Sequence, residues 1–169
     1  MINKQVEIIL AQNAARLRVA LQHATGARSG PEEGSDAWLL LNALISSDDR
    51  PALIARFEQS GRALAEQGGK LETRIQGLQS YVDTLARECN ELFNDATGPF
   101  LLMEATSRLY QLQSLCLSAL TRGYQGVIDR ALLERQQMER HLQHRLLVAR
   151  PADLLFRRQP AQHHLGLRL

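Results

Sequence analysis

Aromatic side chains are scarce in this sequence: one Trp, three Tyr and four Phe make up 5% of 169 residues. Sheets concentrate aromatic and β-branched residues, so this poverty argues against a β fold and for a core of Leu, Ala and Ile between helices. Cysteine is nearly absent too. Cys89 and Cys116 sit at apolar helical positions without CxxC spacing, which excludes a disulfide scaffold. They read as reduced core thiols of a cytoplasmic protein, with a disulfide between them as the less favoured alternative. No apolar run approaches the roughly eighteen residues of a membrane span. Glu7, Gln12 and Asn13 interrupt any signal-peptide core at the start. Catalytic signatures are missing as well. There is no glycine-rich phosphate loop after a strand, no nucleophile elbow and no carboxylate pair in an apolar setting. Asp48-Asp49 and Glu32-Glu33 fall in caps and loops. The expectation is a protein that is not an enzyme and carries no cofactor.

What the sequence has is helical period. Five prolines occur, and none lies between Pro99 and Pro151. Leu102, Ala105, Leu109, Leu112, Cys116 and Ala119 recur at steps of three and four in that interval. Beyond Gly123 and Gly126, the residues Ile128, Ala131, Met138, Leu142 and Leu146 carry the stripe onward. The spacing predicts one helix over 99–148, roughly 75 Å long, ended by Arg150-Pro151. Four shorter helices precede it, at about 4–23, 36–46, 51–67 and 71–93. Ser35 is placed to cap the second, and Ser47-Asp48-Asp49 with Pro51 to start the third. Gly68-Gly69 should stop the third, and 27–34 reads as a loop. Leu71, Ile75, Leu78, Val82, Leu85, Cys89 and Leu92 form an uninterrupted heptad seam on the fourth. Helices of this length, near 30 Å, cover about half of the long one. Its remainder must pair with another copy, meet a partner or fold back at the glycines.

The predicted fold is therefore all-α: a bundle of about five helices whose long C-terminal helix extends toward a coiled coil. The bundle should occupy 1–127, the distal helix 128–150 and a basic tail 151–169. Charge is distributed unevenly along this plan. Residues 1–98 carry a net −3 and 99–169 a net +5, and 140–169 hold six Arg against Asp153 alone.

Several residues invite a functional reading. Gly123 and Gly126 stand where the covered part of the long helix should give way to the uncovered part. They serve either as a hinge or as a close contact with the second or third helix. Trp38, Phe57, Tyr81, Phe100 and Tyr110 would line a ligand pocket inside the bundle, if they are not ordinary core. Ile128, Ala131, Met138, Leu142 and Leu146 are the candidate dimer or partner contacts. Arg145, Arg150, Arg157 and Arg158 support a second reading, a nucleic-acid-binding regulator, although Phe156 is the sole aromatic there for base stacking. His141 and His144 share a helix face, and His163-His164 follow, yet neither HExxH nor the ExxH pattern of di-iron bundles is present. Phosphotransfer histidines are usually followed by an acidic residue or Lys-Gly. His141 and His23 are followed by Leu142 and Ala24.

Two segments carry a resemblance. Leu53-Ile54-Ala55-Arg56-Phe57-Glu58-Gln59-Ser60-Gly61-Arg62 through Gly68 is similar to the third-helix region of helical N-terminal modules of bacterial signalling proteins. Gly123-Tyr124 through Leu133-Glu134-Arg135-Gln136-Gln137-Met138-Glu139 resembles the helix leaving such modules, as in partner-switching phosphatases and some sensor kinases and cyclases. The match is one of pattern over about 36–148. It implies a cytoplasmic, homodimeric regulatory or sensory module with a signalling protein as partner, passing strain along a coiled coil. This chain departs from the family in that no kinase, cyclase or phosphatase domain follows Val148.

Overall fold

The computed structural model describes residues 2–25, 33–96 and 99–155. All regular structure among them is helical. The order is α1 (Ile2–Gln12), α2 (Ala14–Thr25), α3 (Asp36–Ile45), a 3-10 turn (Ser47–Asp49), α4 (Arg50–Glu66), α5 (Leu71–Ala96) and α6 (Pro99–Leu155). The all-α bundle with a long C-terminal helix is thus observed, with six helices where the periodicity predicted about five.

The extra helix arises at Asn13. Its side-chain amide donates to the Ile9 carbonyl at 2.9 Å, alongside the backbone bond from Asn13 N to the same oxygen at 3.1 Å. A short amide competing for helix carbonyls is a local helix disturber. The apolar stripe runs through the break unaltered: Val6, Leu10, Leu17 and Leu21 are all fully buried. Period alone therefore did not reveal it.

Caps and stops follow local chemistry. The Ser35 hydroxyl accepts from Trp38 N at 3.3 Å and starts α3. The next start is less simple than predicted. Ser46, not Asp49, supplies a side-chain cap, accepting from Asp48 N at 3.3 Å to open the 3-10 turn. Asp49 makes no capping bond to α4, and Pro51 lies in the opening turn of that helix. Gly68 ends α4 with φ +66°, where an L side chain is strained, and Gly69 N donates to the Leu64 carbonyl at 2.9 Å. Arg150-Pro151 does not end α6, which continues to Leu155. A proline forfeits one backbone bond, and that alone is insufficient to terminate a helix. Residues 27–32 of the predicted 27–34 loop and the tail from Phe156 onward lie outside the described residues.

The chain forms two compact units, Met1–Ile128 and Asp129–Leu169. The core belongs to the first. α2 packs chiefly on α5, and α3 on α4 and α1. The predicted α5 seam is buried through Leu78, Val82, Leu85 and Cys89, with Phe93 added at its end. On α6, Ala105, Leu109, Leu112, Cys116, Ala119 and Leu120 are fully buried. Each leucine removed from water in this way contributes roughly 2 kcal/mol. Among the described residues no helix is long and apolar enough to cross a membrane.

Candidate functional site

In the second unit, every described side chain from Asp129 to Leu147 is exposed. Leu132 is 52% exposed, Met138 66%, Leu142 54% and Leu146 69%. Single exposed leucines are ordinary on a protein surface, but apolar residues repeated along one face of a helix mark a contact surface. Ala131, Met138, Leu142 and Leu146 lie along that face together with Leu132, whereas Leu133 and Leu147 point off it by helical geometry. Ile128, the last residue of the first unit, is half-buried. Within the face, Arg135 Nε donates to Glu139 Oε1 at 3.1 Å, one turn on, with both side chains mostly in solvent. His141, His144 and Arg145 are also exposed. Arg150 is placed by its helical backbone alone, and Arg157, Arg158, His163 and His164 lie outside the described residues.

The two candidate hinge glycines differ. A Cβ on Gly123 would come within 2.0 Å of the Glu58 carbonyl oxygen, and one on Gly61 within 2.1 Å of the Leu120 carbonyl oxygen. α4 and α6 thus cross backbone to backbone at Gly61 and Gly123, where no side chain fits. Around the crossing, Arg122 reaches Glu58 at 3.8 Å, and the Tyr124 hydroxyl donates to the Gly69 carbonyl at 3.4 Å, tying α6 to the end of α4. Gly123 is accordingly explained by close packing on the third predicted helix. Gly126 meets nothing within 4 Å, and α6 is helical through both positions.

The five aromatics do not converge on an interior pocket. Phe57 is core, and Tyr81 packs against the core from a half-buried position, as an aromatic on a bundle helix ordinarily does. Trp38 is half-buried. Phe100 and Tyr110 are 70% and 52% exposed. Neither belongs to the α6 stripe that turns inward, so helical geometry aims them at solvent. The described surface does hold an open groove of about 420 Å³ lined by Gln5, Ile8, Ile9 and Leu101, none of them an aromatic.

Several polar groups of the first unit hold helices together, whereas the buried Nε of Arg50 has no hydrogen-bond partner among the described residues. Asp36, 8% exposed, accepts from Arg56 Nε at 3.3 Å and pairs with Arg74, joining the start of α3 to α4 and α5. Arg108 is buried between Glu104 at 3.0 Å and Glu7 at 3.2 Å, linking α6 to α1. Glu88 takes Arg16 at 3.1 Å across α2 and α5. Breaking one partner of such a pair strands the other charge, so these groups read as structural pins. Cys89 and Cys116 are free and fully buried. Burial pushes both thiols up to about 12, with Glu88 adding to the shift at Cys89 and Asp36 at Cys116. Thiols held protonated in this way are poor nucleophiles.

Sequence reasoning passed over Leu132, Arg135 and Glu139 as site residues. The signal was available: all three share the helical face of Leu142 and Leu146. No protein-family model, no curated protein and no solved structure matches this chain.

Proposed function

We propose that this chain is a non-catalytic regulatory or sensory module that works by protein–protein contact, with the helix of the second unit as its association surface. The observation that carries the reading is the exposed face through Leu132, Met138, Leu142 and Leu146. Apolar area of this kind gains free energy when another surface covers it. A homodimer, a signalling-protein partner, a bacterial origin and a cytoplasmic location all accord with the resemblance of 36–148 to signalling modules.

Light scattering of the whole chain and of a version truncated after Ile128 tests it. The core residues all lie at or before Leu120, so the truncated bundle should keep its fold. The whole chain should run as a dimer and the truncation as a monomer. Equal masses for the two would refute the assignment. The nucleic-acid reading draws on the arginines of 140–169. A filter-binding titration at two salt concentrations tests that alternative, because phosphate contacts weaken steeply with salt.

A further inference from the structure

Four residues that share one face of the second-unit helix, Leu132, Arg135, Glu139 and Leu142, are arranged symmetrically about Gln137. Leu132 and Leu142 stand at equal distances on either side of it, as do Arg135 and Glu139, Glu134 and Arg140, and Asp129 and Arg145. The three charged pairs are each of opposite sign. Gln137 itself points away from the apolar face, since Leu132, Arg135, Glu139 and Leu142 step by three, four and three on the opposite side of the helix. The Leu132–Arg135–Glu139–Leu142 line along the middle of the face is thus symmetric about Gln137, whereas Ala131 and Met138 at its edge are not.

We infer that the occupant of this face is a second copy of the same helix, running antiparallel and centred on Gln137. A two-fold contact is isologous, so if residue i meets residue j then j meets i. Antiparallel alignment about Gln137 sets Leu132 of one copy in the layer of Leu142 of the other, twice. It also sets Arg135 opposite the other copy's Glu139, twice, so the polar middle becomes an alternating quartet of charges. Asp129 and Arg145, and Glu134 and Arg140, mirror each other in sign about Gln137 as well, but they project off the apolar face and outside the contact. A parallel pair in register instead puts Arg135 on Arg135 and Glu139 on Glu139 in successive layers. Charged positions beside an apolar seam choose partner and direction in this way, more than they add affinity.

The local geometry fits. Arg135 and Glu139 already hold each other at 3.1 Å within one chain, so their charged ends lie together on this face before a partner arrives. α6 is also helical through Leu155, so pairing needs no new helix nucleus. Antiparallel pairing presupposes the self-association proposed above and adds its direction and register.

Disulfide trapping separates the two ideas. Leu132→Cys and Leu142→Cys are made singly in the whole chain. Cys89 and Cys116 are fully buried and stay out of reach under native conditions. An oxidised equimolar mixture of the two variants should give mainly the mixed dimer, and each variant alone should give about tenfold less linked product. Self-linking of Leu132→Cys as readily as the mixture overturns the antiparallel assignment while leaving association intact. A whole chain that stays monomeric at every concentration, with no linking, overturns both. A second series does not depend on cysteine. R135E and E139R should each weaken self-association by about tenfold, and R135E/E139R together should restore it. Failure of the double variant to recover, with both singles weakened, also counts against the antiparallel register.

Discussion

Between Leu101 and Leu120, α6 hides Ala105, Leu109, Leu112, Cys116 and Ala119 completely; between Asp129 and Leu147 it hides no described side chain. Apolar residues at helical spacing mark both stretches. In the first unit the stripe meets α-helices of the same chain, and its polar neighbours are pinned in pairs such as Arg108 with Glu7 and Glu104. In the second, the stripe is narrower and a salt pair, Arg135 with Glu139, lies within it. The difference teaches that period sets which face is apolar, whereas burial depends on what stands opposite. A stripe that includes charges on its midline is suited to a partner that returns the opposite charges.

The sharpest way to break that contrast is to remove apolar side chains from each side of it. Phe57→Ala, in the core of the first unit, should cost about 3–5 kcal/mol in thermal or chemical unfolding. Leu142→Ala should leave the unfolding of a dilute sample within about 0.5 kcal/mol of the parent, because the residue is already in water. If Leu142→Ala destabilises the dilute chain as Phe57→Ala does, the second unit is not the free surface described here.

The glycines offer a second contrast. Gly123→Ala drives a Cβ into the Glu58 carbonyl, and with backbone on both sides neither helix can yield cheaply. A loss of about 3 kcal/mol is expected. Gly126→Ala meets open space and should gain up to about 1 kcal/mol from helix propensity. Both changes are read by denaturant unfolding, and losses of equal size would put the crossing in doubt.

A third contrast concerns pH. The folded thiols of Cys89 and Cys116 titrate near 12, against an ordinary value of 9.0. Above pH 9 the unfolded chain therefore sheds protons that the folded chain retains, so ∂ΔG/∂pH is negative. Stability is full below pH 9 and declines as pH rises toward 12, by about 1.4 kcal/mol per pH unit per thiol. A Cys89→Ala/Cys116→Ala variant should lose that slope. A slope unchanged in the variant would assign the decline to other groups.

Much of the architecture was legible in residue order. The α5 heptad could be read directly because its period of 3.5 is unbroken, and Ser35 because a hydroxyl before an acidic first turn has one obvious role. Other features depend on what the chain meets in space. Gly123 could be a hinge or a contact until Gly61 and Glu58 were seen across from it. Asn13 left the apolar stripe intact, so its break in the first helix was invisible to periodicity. The aromatic pocket failed for a readable reason: Phe100 and Tyr110 fall outside the stripe of Ala105, Leu109 and Leu112. The placement of Arg135 and Glu139 on either side of Gln137 was present in the sequence throughout. It gained meaning once the apolar face beside it proved uncovered.

The most direct measurement is amide hydrogen exchange along α6 at increasing protein concentration. Residues 129–147 should become more protected as concentration rises, because association closes their face, while residues 101–120 should hold the same high protection throughout. Protection over 129–147 that does not change with concentration would contradict the claim that this face is where copies of the chain meet.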